Sequence, residues 1–114
     1  MVKQILIIIG IIAAGALGYL FLFDKNADAG TILYFGDTCP HCENVENYIK
    51  DNNIDGKIEI VRKEVYKNQK NAREMAQKAE KCGLPTGQIG VPLLWDNGQC
   101  FIGDQPIIDY LGKK

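Results

Sequence analysis

Apolar and polar positions divide the chain into one long uncharged stretch and a following region where short apolar runs alternate with amphipathic ones. Residues 5–23 carry no charge, with Lys3 before them and Asp24 and Lys25 after. A helix of about nineteen residues spans roughly 28 Å, close to the hydrocarbon thickness of a bilayer. Uncharged on every face, it is too greasy for the core of a small domain. The pattern predicts a single-pass transmembrane anchor over residues 1–23, with the remainder outside the cytoplasm because Lys3 and the α-amino group precede the span. Ala27-Asp28-Ala29 has the form of a signal-peptidase site, so a secreted chain cleaved near Ala29 is the alternative.

Residues 24–30 are small and polar, a linker and turn. Residues 31–35 (Thr-Ile-Leu-Tyr-Phe) are continuously apolar, as in a strand covered on both faces. A helical pattern over 40–52 places Val45, Tyr48 and Ile49 on one face and stops at Asn52-Asn53 and Gly56. Residues 57–65 alternate at their start and predict a second strand, giving a parallel strand–helix–strand unit. Ala72, Met75, Ala76 and Ala79 carry a second helix over 68–81, closed by Gly83. Residues 91–95 form a strand that opens with proline, and Asp96-Asn97-Gly98-Gln99 predicts a tight hairpin to a strand at 100–102. Asp104 as N-cap, Pro106 in the first turn and Ile107, Ile108 and Leu111 facing inward predict the last helix. The fold class is α/β, one domain over 31–114, with a four-stranded mixed sheet flanked by helices.

The 114 residues carry a net charge of −1 and 46% hydrophobic residues, enough for one small core once the N-terminal stretch is set aside. No basic stripe is present, which excludes nucleic acid as an expected partner.

Candidate chemistry lies at Cys39-Pro40-His41-Cys42, where the first strand ends and the first helix of the domain begins. A helix N-terminus offers unpaired N–H groups and a positive dipole end, and both favour a thiolate over a thiol. Pro40 suits the first turn, and His41 favours the thiolate further when protonated or by donating a hydrogen bond. Cys39, nearer solvent, is expected to attack, and Cys42, one turn inward, to resolve. A zinc knuckle or a structural cysteine pair is the alternative, but zinc usually needs a second closely spaced pair, and Cys82 and Cys100 stand far apart in sequence. Those two form a second disulfide or redox relay, or lie separately as small buried hydrophobes.

The order β-α-β-α-β-β-α, with C-P-H-C opening the first helix, Val91-Pro92 opening the third strand, the Asn97-Gly98 hairpin and Ile102-Gly103-Asp104 before the last helix, resembles the thioredoxin fold in its short glutaredoxin-like form. The likeness spans residues 31–112. It implies that the Val91-Pro92 bond is cis and lies against the active-site pair, with the Val91 backbone binding an extended substrate. The Pro-His dipeptide and the valine before proline look like those of bacterial periplasmic disulfide oxidases of the Dsb type, whose inserted helical domain this chain lacks. Where glutaredoxins carry a second glycine this chain has Asp104, and where thioredoxins place a buried carboxylate it has Leu33. Proton removal from Cys42 then falls to Glu43, Glu46 or water.

The expected function is a membrane-tethered extracytoplasmic thiol–disulfide oxidoreductase acting on protein thiols and disulfides, alone or with a membrane redox partner. It needs no metal or organic cofactor, because the disulfide itself carries two electrons. The alternatives are a reductase or isomerase fed by a membrane electron donor, and a non-catalytic binding module whose C-x-x-C is structural or holds a metal.

Overall fold

The apolar run at 31–35 becomes β1 (Thr31–Phe35), and its side chains divide by the two-residue period of a strand. Leu33 packs on one face with Val45, Ile49, Ile60, Leu94, Ile107 and Leu111. Ile32 and Tyr34 pack on the other with Met75, Ala79, Leu93 and Trp95. Both faces are therefore covered, which accounts for the absence of polar alternation in the sequence. Each fully buried Leu or Ile contributes about 1.5–3 kcal/mol relative to exposure.

The coordinates are a computed structural model describing residues 2–23, 30–85, 87 and 89–114, with side chains of the N-terminal helix described as far as residue 12. The cleavage-like Ala27-Asp28-Ala29, nearly all of the linker expected at 24–30, and Thr86 and Gln88 in the connection before the third strand lie outside the described residues.

After β1 come α2 (Pro40–Asp51), a 3-10 turn (Ile54–Gly56), β2 (Ile60–Glu64), α3 (Gln69–Lys81), β3 (Leu93–Asp96), β4 (Gln99–Ile102) and α4 (Asp104–Leu111). The sheet order is β2-β1-β3-β4, with β1 and β2 parallel and the other pairs antiparallel. Helices α2 and α4 supply the Val45, Ile49, Ile107 and Leu111 face, and α3 supplies Met75 and Ala79 on the other. This is a mixed α/β architecture, a four-stranded mixed sheet flanked by helices.

Preceding the sheet, α1 (Val2–Phe23) is one 22-residue helix whose described large apolar side chains, Ile5, Ile8 and Ile12 among them, are exposed. Among the described residues no helix is long and apolar enough to cross a membrane. The transmembrane segment expected over 5–23 is thus unsupported by the described residues, which omit its side chains from 13 onward.

Several boundaries differ from the sequence pattern for local reasons. The second strand starts at Ile60 rather than 57, because Asn53 turns left-handed (φ 50°) and 54–56 form a 3-10 turn that spends Ile54 and Ile58 on the Leu33 cluster. The third strand starts after Val91-Pro92 and takes in Asp96, which was expected in the hairpin turn. Asn97 and Gly98, at φ 49° and 97°, make that turn alone. The last helix takes Gly103 as its N-cap at φ 93°, so Asp104 is its first helical residue rather than its cap. Of its three expected inward residues Ile107 and Leu111 are buried, and Ile108 is half-buried.

Candidate active site at one end of the sheet

The C-terminal ends of β1, β2 and β4 and the N-terminal end of β3 meet at one rim. Tyr34 pairs with Leu93, which pairs with Ile102, so the residues next outward are Gly36 and Cys39 after β1, Pro92 before β3 and Gly103 after β4. The Gly103 N–H donates to the Pro92 carbonyl at 2.9 Å and ties two of these segments together. The Val91-Pro92 peptide is cis.

Cys39 is the N-cap of α2 in extended conformation (φ −94°, ψ 110°), and Pro40 opens the helix. The capping atom is the sulfur itself: Cys39 Sγ accepts from the Cys42 N–H at 3.2 Å. Ser, Asp or Asn usually supplies the oxygen there, so the orphan donor of the first turn is aimed at a group able to carry negative charge. Cys39 and Cys42 are disulfide-bonded with Cα atoms 5.2 Å apart. Cys39 keeps 7% of its surface and Cys42 4%, so the difference in exposure expected between them is small in the oxidised state.

His41 projects outward with 71% of its side chain exposed, and its Nδ1 lies 3.0 Å from Asp104 Oδ2. The same oxygen accepts from Asn44 Nδ2 at 2.9 Å, while Oδ1 takes the Gln105 N–H. Hydrogen bonds from Asn44 and His41 hold the Asp104 carboxyl well down, to about 2. Sequence reasoning placed Asp104 as a cap and missed its contact with His41. The signal available was its departure from the glycine of the resembled pattern.

The opposite flank is organised by Glu64, whose carboxylate accepts the main-chain N–H groups of Asp37, Tyr66 and Lys67 at 2.7–2.9 Å. Desolvation pushes this carboxyl up, but the N–H donors of Lys67, Asp37 and Tyr66 outweigh it and hold the group below its ordinary value. Lys67 closes on Asp37 at 2.6 Å, which raises the lysine above its usual range. Thr38, a β-branched residue, stands at φ 67°, a left-handed position that side chains of this kind rarely adopt. Gly36 is buried beneath the ring of Tyr66, where any Cβ would collide with the aromatic carbons.

Leu33, at the position of the resembled buried carboxylate, is fully buried in the core. Of the expected proton acceptors, Glu46 is committed to Arg62 at 2.8 Å, and Arg62 also binds Asp55 at 2.9 Å. Glu43, in the first turn of α2, is exposed.

Cys82 and Cys100 are bonded to each other, Cα–Cα 6.1 Å, joining the C-cap of α3 to β4. Cys100 faces Trp95 in the ladder. Trp95 lies three residue steps along the chain from Pro92, about 10 Å of strand, so the second disulfide lies away from the rim. Hollows of about 500 and 550 Å³ lie elsewhere, one against Thr31, Ile58 and Val61 and one against Asn68, Arg73 and Glu74. Among the described residues, no group of three or more His, Cys, Asp or Glu side chains is arranged to hold a metal ion.

No protein-family model matches the chain, and neither does any curated protein.

Proposed function

We propose that this chain is a thiol–disulfide oxidoreductase with a thioredoxin-like fold of the short glutaredoxin type, exchanging disulfides with protein substrates. One observation carries the reading: Cys39 Sγ is both the N-cap acceptor of α2 and bonded to a second sulfur one turn inward. The same dipole and N–H that cap the helix favour the thiolate that reduction releases. The place of Val91-Pro92 at the same rim, just before β3 and tied to Gly103, supports a substrate role for these two residues.

The exchange balances as follows. With the pair reduced, the Cys39 thiolate attacks a substrate disulfide, forming one S–S bond and releasing the other substrate sulfur as a thiolate. Cys42 gives its proton to Glu43 or water and attacks Cys39 Sγ, breaking the mixed disulfide. The substrate leaves with two electrons, taking up the proton that Cys42 released and one more from solvent, and the Cys39–Cys42 bond is restored; run backwards, the sequence oxidises a substrate dithiol. No cofactor is required, and a membrane redox partner resets the pair.

The sequence pattern alone, residues 5–23 without a charge and Lys3 before them, supports the further part of the proposal, a membrane tether with the domain outside the cytoplasm. The test is insulin reduction together with the pH dependence of Cys39 alkylation. Turnover and a thiol titrating well below the ordinary value of about 8.5 support the reading, and an inert, unshifted thiol sinks it.

A further inference from the structure

His41 and Asp104 join helices that are distant in sequence, and only one of them lies in the C-P-H-C motif. Asp104 is anchored independently of the imidazole, because Asn44 Nδ2 and the Gln105 N–H hold its two oxygens at 2.9 Å each. It is a fixed anion, in place whether or not His41 carries charge. Gly103 makes this placement possible: its φ of 93° and its hydrogen bond to the Pro92 carbonyl deliver the next residue to the rim.

We propose that Asp104 is a positioning residue that draws the His41 imidazole toward α4 and offsets its charge, so that the Cys39–Cys42 couple is less oxidising than its Pro-His dipeptide alone would make it. The inference rests on the exchange reading above. Two effects of opposite sign compete. A carboxylate that orients imidazolium toward Cys39 would favour the thiolate, whereas one that neutralises imidazolium would not. The geometry favours the second, because Nδ1 lies 3.0 Å from Asp104 Oδ2, so the charge of an imidazolium is paired directly with the carboxylate.

Other charges near the rim do not change this balance. Lys67 and Asp37 neutralise each other on the far flank, and Glu43 is common to every variant considered. At a pH acidic enough to protonate imidazole, the unaltered pair sums to no net charge. Asp104→Asn leaves one positive charge, His41→Gln leaves one negative charge, and the double substitution again leaves none.

The experiment equilibrates all four proteins at pH 5.5 with reduced and oxidised glutathione. Two glutathione thiols reduce the Cys39–Cys42 bond and emerge as one glutathione disulfide. Asp104→Asn is expected to shift the equilibrium toward the reduced protein by about threefold to tenfold; tenfold corresponds to about 30 mV for a two-electron couple. His41→Gln should shift it the other way, and the double variant should return close to the unaltered chain. Asp104→Glu keeps the charge and should stay within about twofold, whereas a purely structural role would move it with Asp104→Asn. An Asp104→Asn equilibrium that is unchanged, or shifted toward the oxidised protein, overturns the inference alone. Failure of the unaltered chain to exchange with glutathione overturns the exchange reading, and the inference with it.

Discussion

The main-chain N–H of Gly103 donates to the carbonyl of Pro92 at 2.9 Å, so the start of α4 and the cis peptide before β3 hold each other in place. Gly103 has φ 93° and ψ 158°, a region essentially closed to residues with a Cβ. An added Cβ would meet only Pro106 Cδ, at 3.6 Å, so the cost of substitution is conformational rather than steric. Gly103→Ala should destabilise the fold by about 1–3 kcal/mol in urea unfolding and lower exchange activity by displacing Asp104 and Pro92 together.

The two cysteines of the rim have separate tasks in the proposed exchange. Cys39→Ser should abolish reaction with a disulfide substrate. Cys42→Ala should keep the attack and lose the resolution, so a mixed disulfide with substrate accumulates on non-reducing gels and in mass spectra. Adducts through Cys42 in the Cys39→Ser chain would reverse the assignment.

Asp96 is 5% exposed and accepts from Thr31, Tyr110, Asn97 and Lys114. Burial pushes its carboxyl up, but Tyr110, Thr31 and Lys114 together hold it below its ordinary value. A carboxyl depressed in the folded state stabilises above its unfolded value of about 3.9 and loses that contribution as pH falls through the folded one. Thermal unfolding should therefore become easier on acidification below about pH 4. Asp96→Asn should be less stable at pH 7, by about 1–3 kcal/mol for a charged hydrogen-bonded partner, and should show a shallower acid dependence.

The second disulfide closes a loop of 18 residues between α3 and β4. A loop of this size gives about 3 kcal/mol in the chain-entropy account. Replacing Cys82 and Cys100 together by Ala should lower stability by about 2–4 kcal/mol in denaturant while exchange at Cys39 continues at its former rate. Loss of exchange in a folded double variant would instead assign the pair a relay role.

Local signals in the sequence located most of the architecture. The unbroken apolar run of β1, the Asn97-Gly98 turn and the left-handed Gly83 that closes α3 each work within a few residues, and periodicity and turn chemistry report that range. The start of β2 was misread because Ile58 alternates with its neighbours yet reaches the core from a turn. At the rim, the sulfur pair was legible from spacing and the proline geometry from resemblance. The Asp104 contact was not, because it joins residues 63 apart and depends on where two helices end. Thr38 was equally hidden, since nothing in its composition marks a left-handed backbone.

The burial of β1 on both faces has one more implication. Its packing layers are filled by Leu33, Leu94, Tyr34 and Trp95, none of which takes part in the proposed chemistry. The connections at 36–39, 65–67 and 91–92, and Gly103, hang from strand tips beyond those layers. Drift in sequence can thus retune what the rim accepts while the scaffold beneath stays untouched, so specificity and foldability are inherited as separate traits.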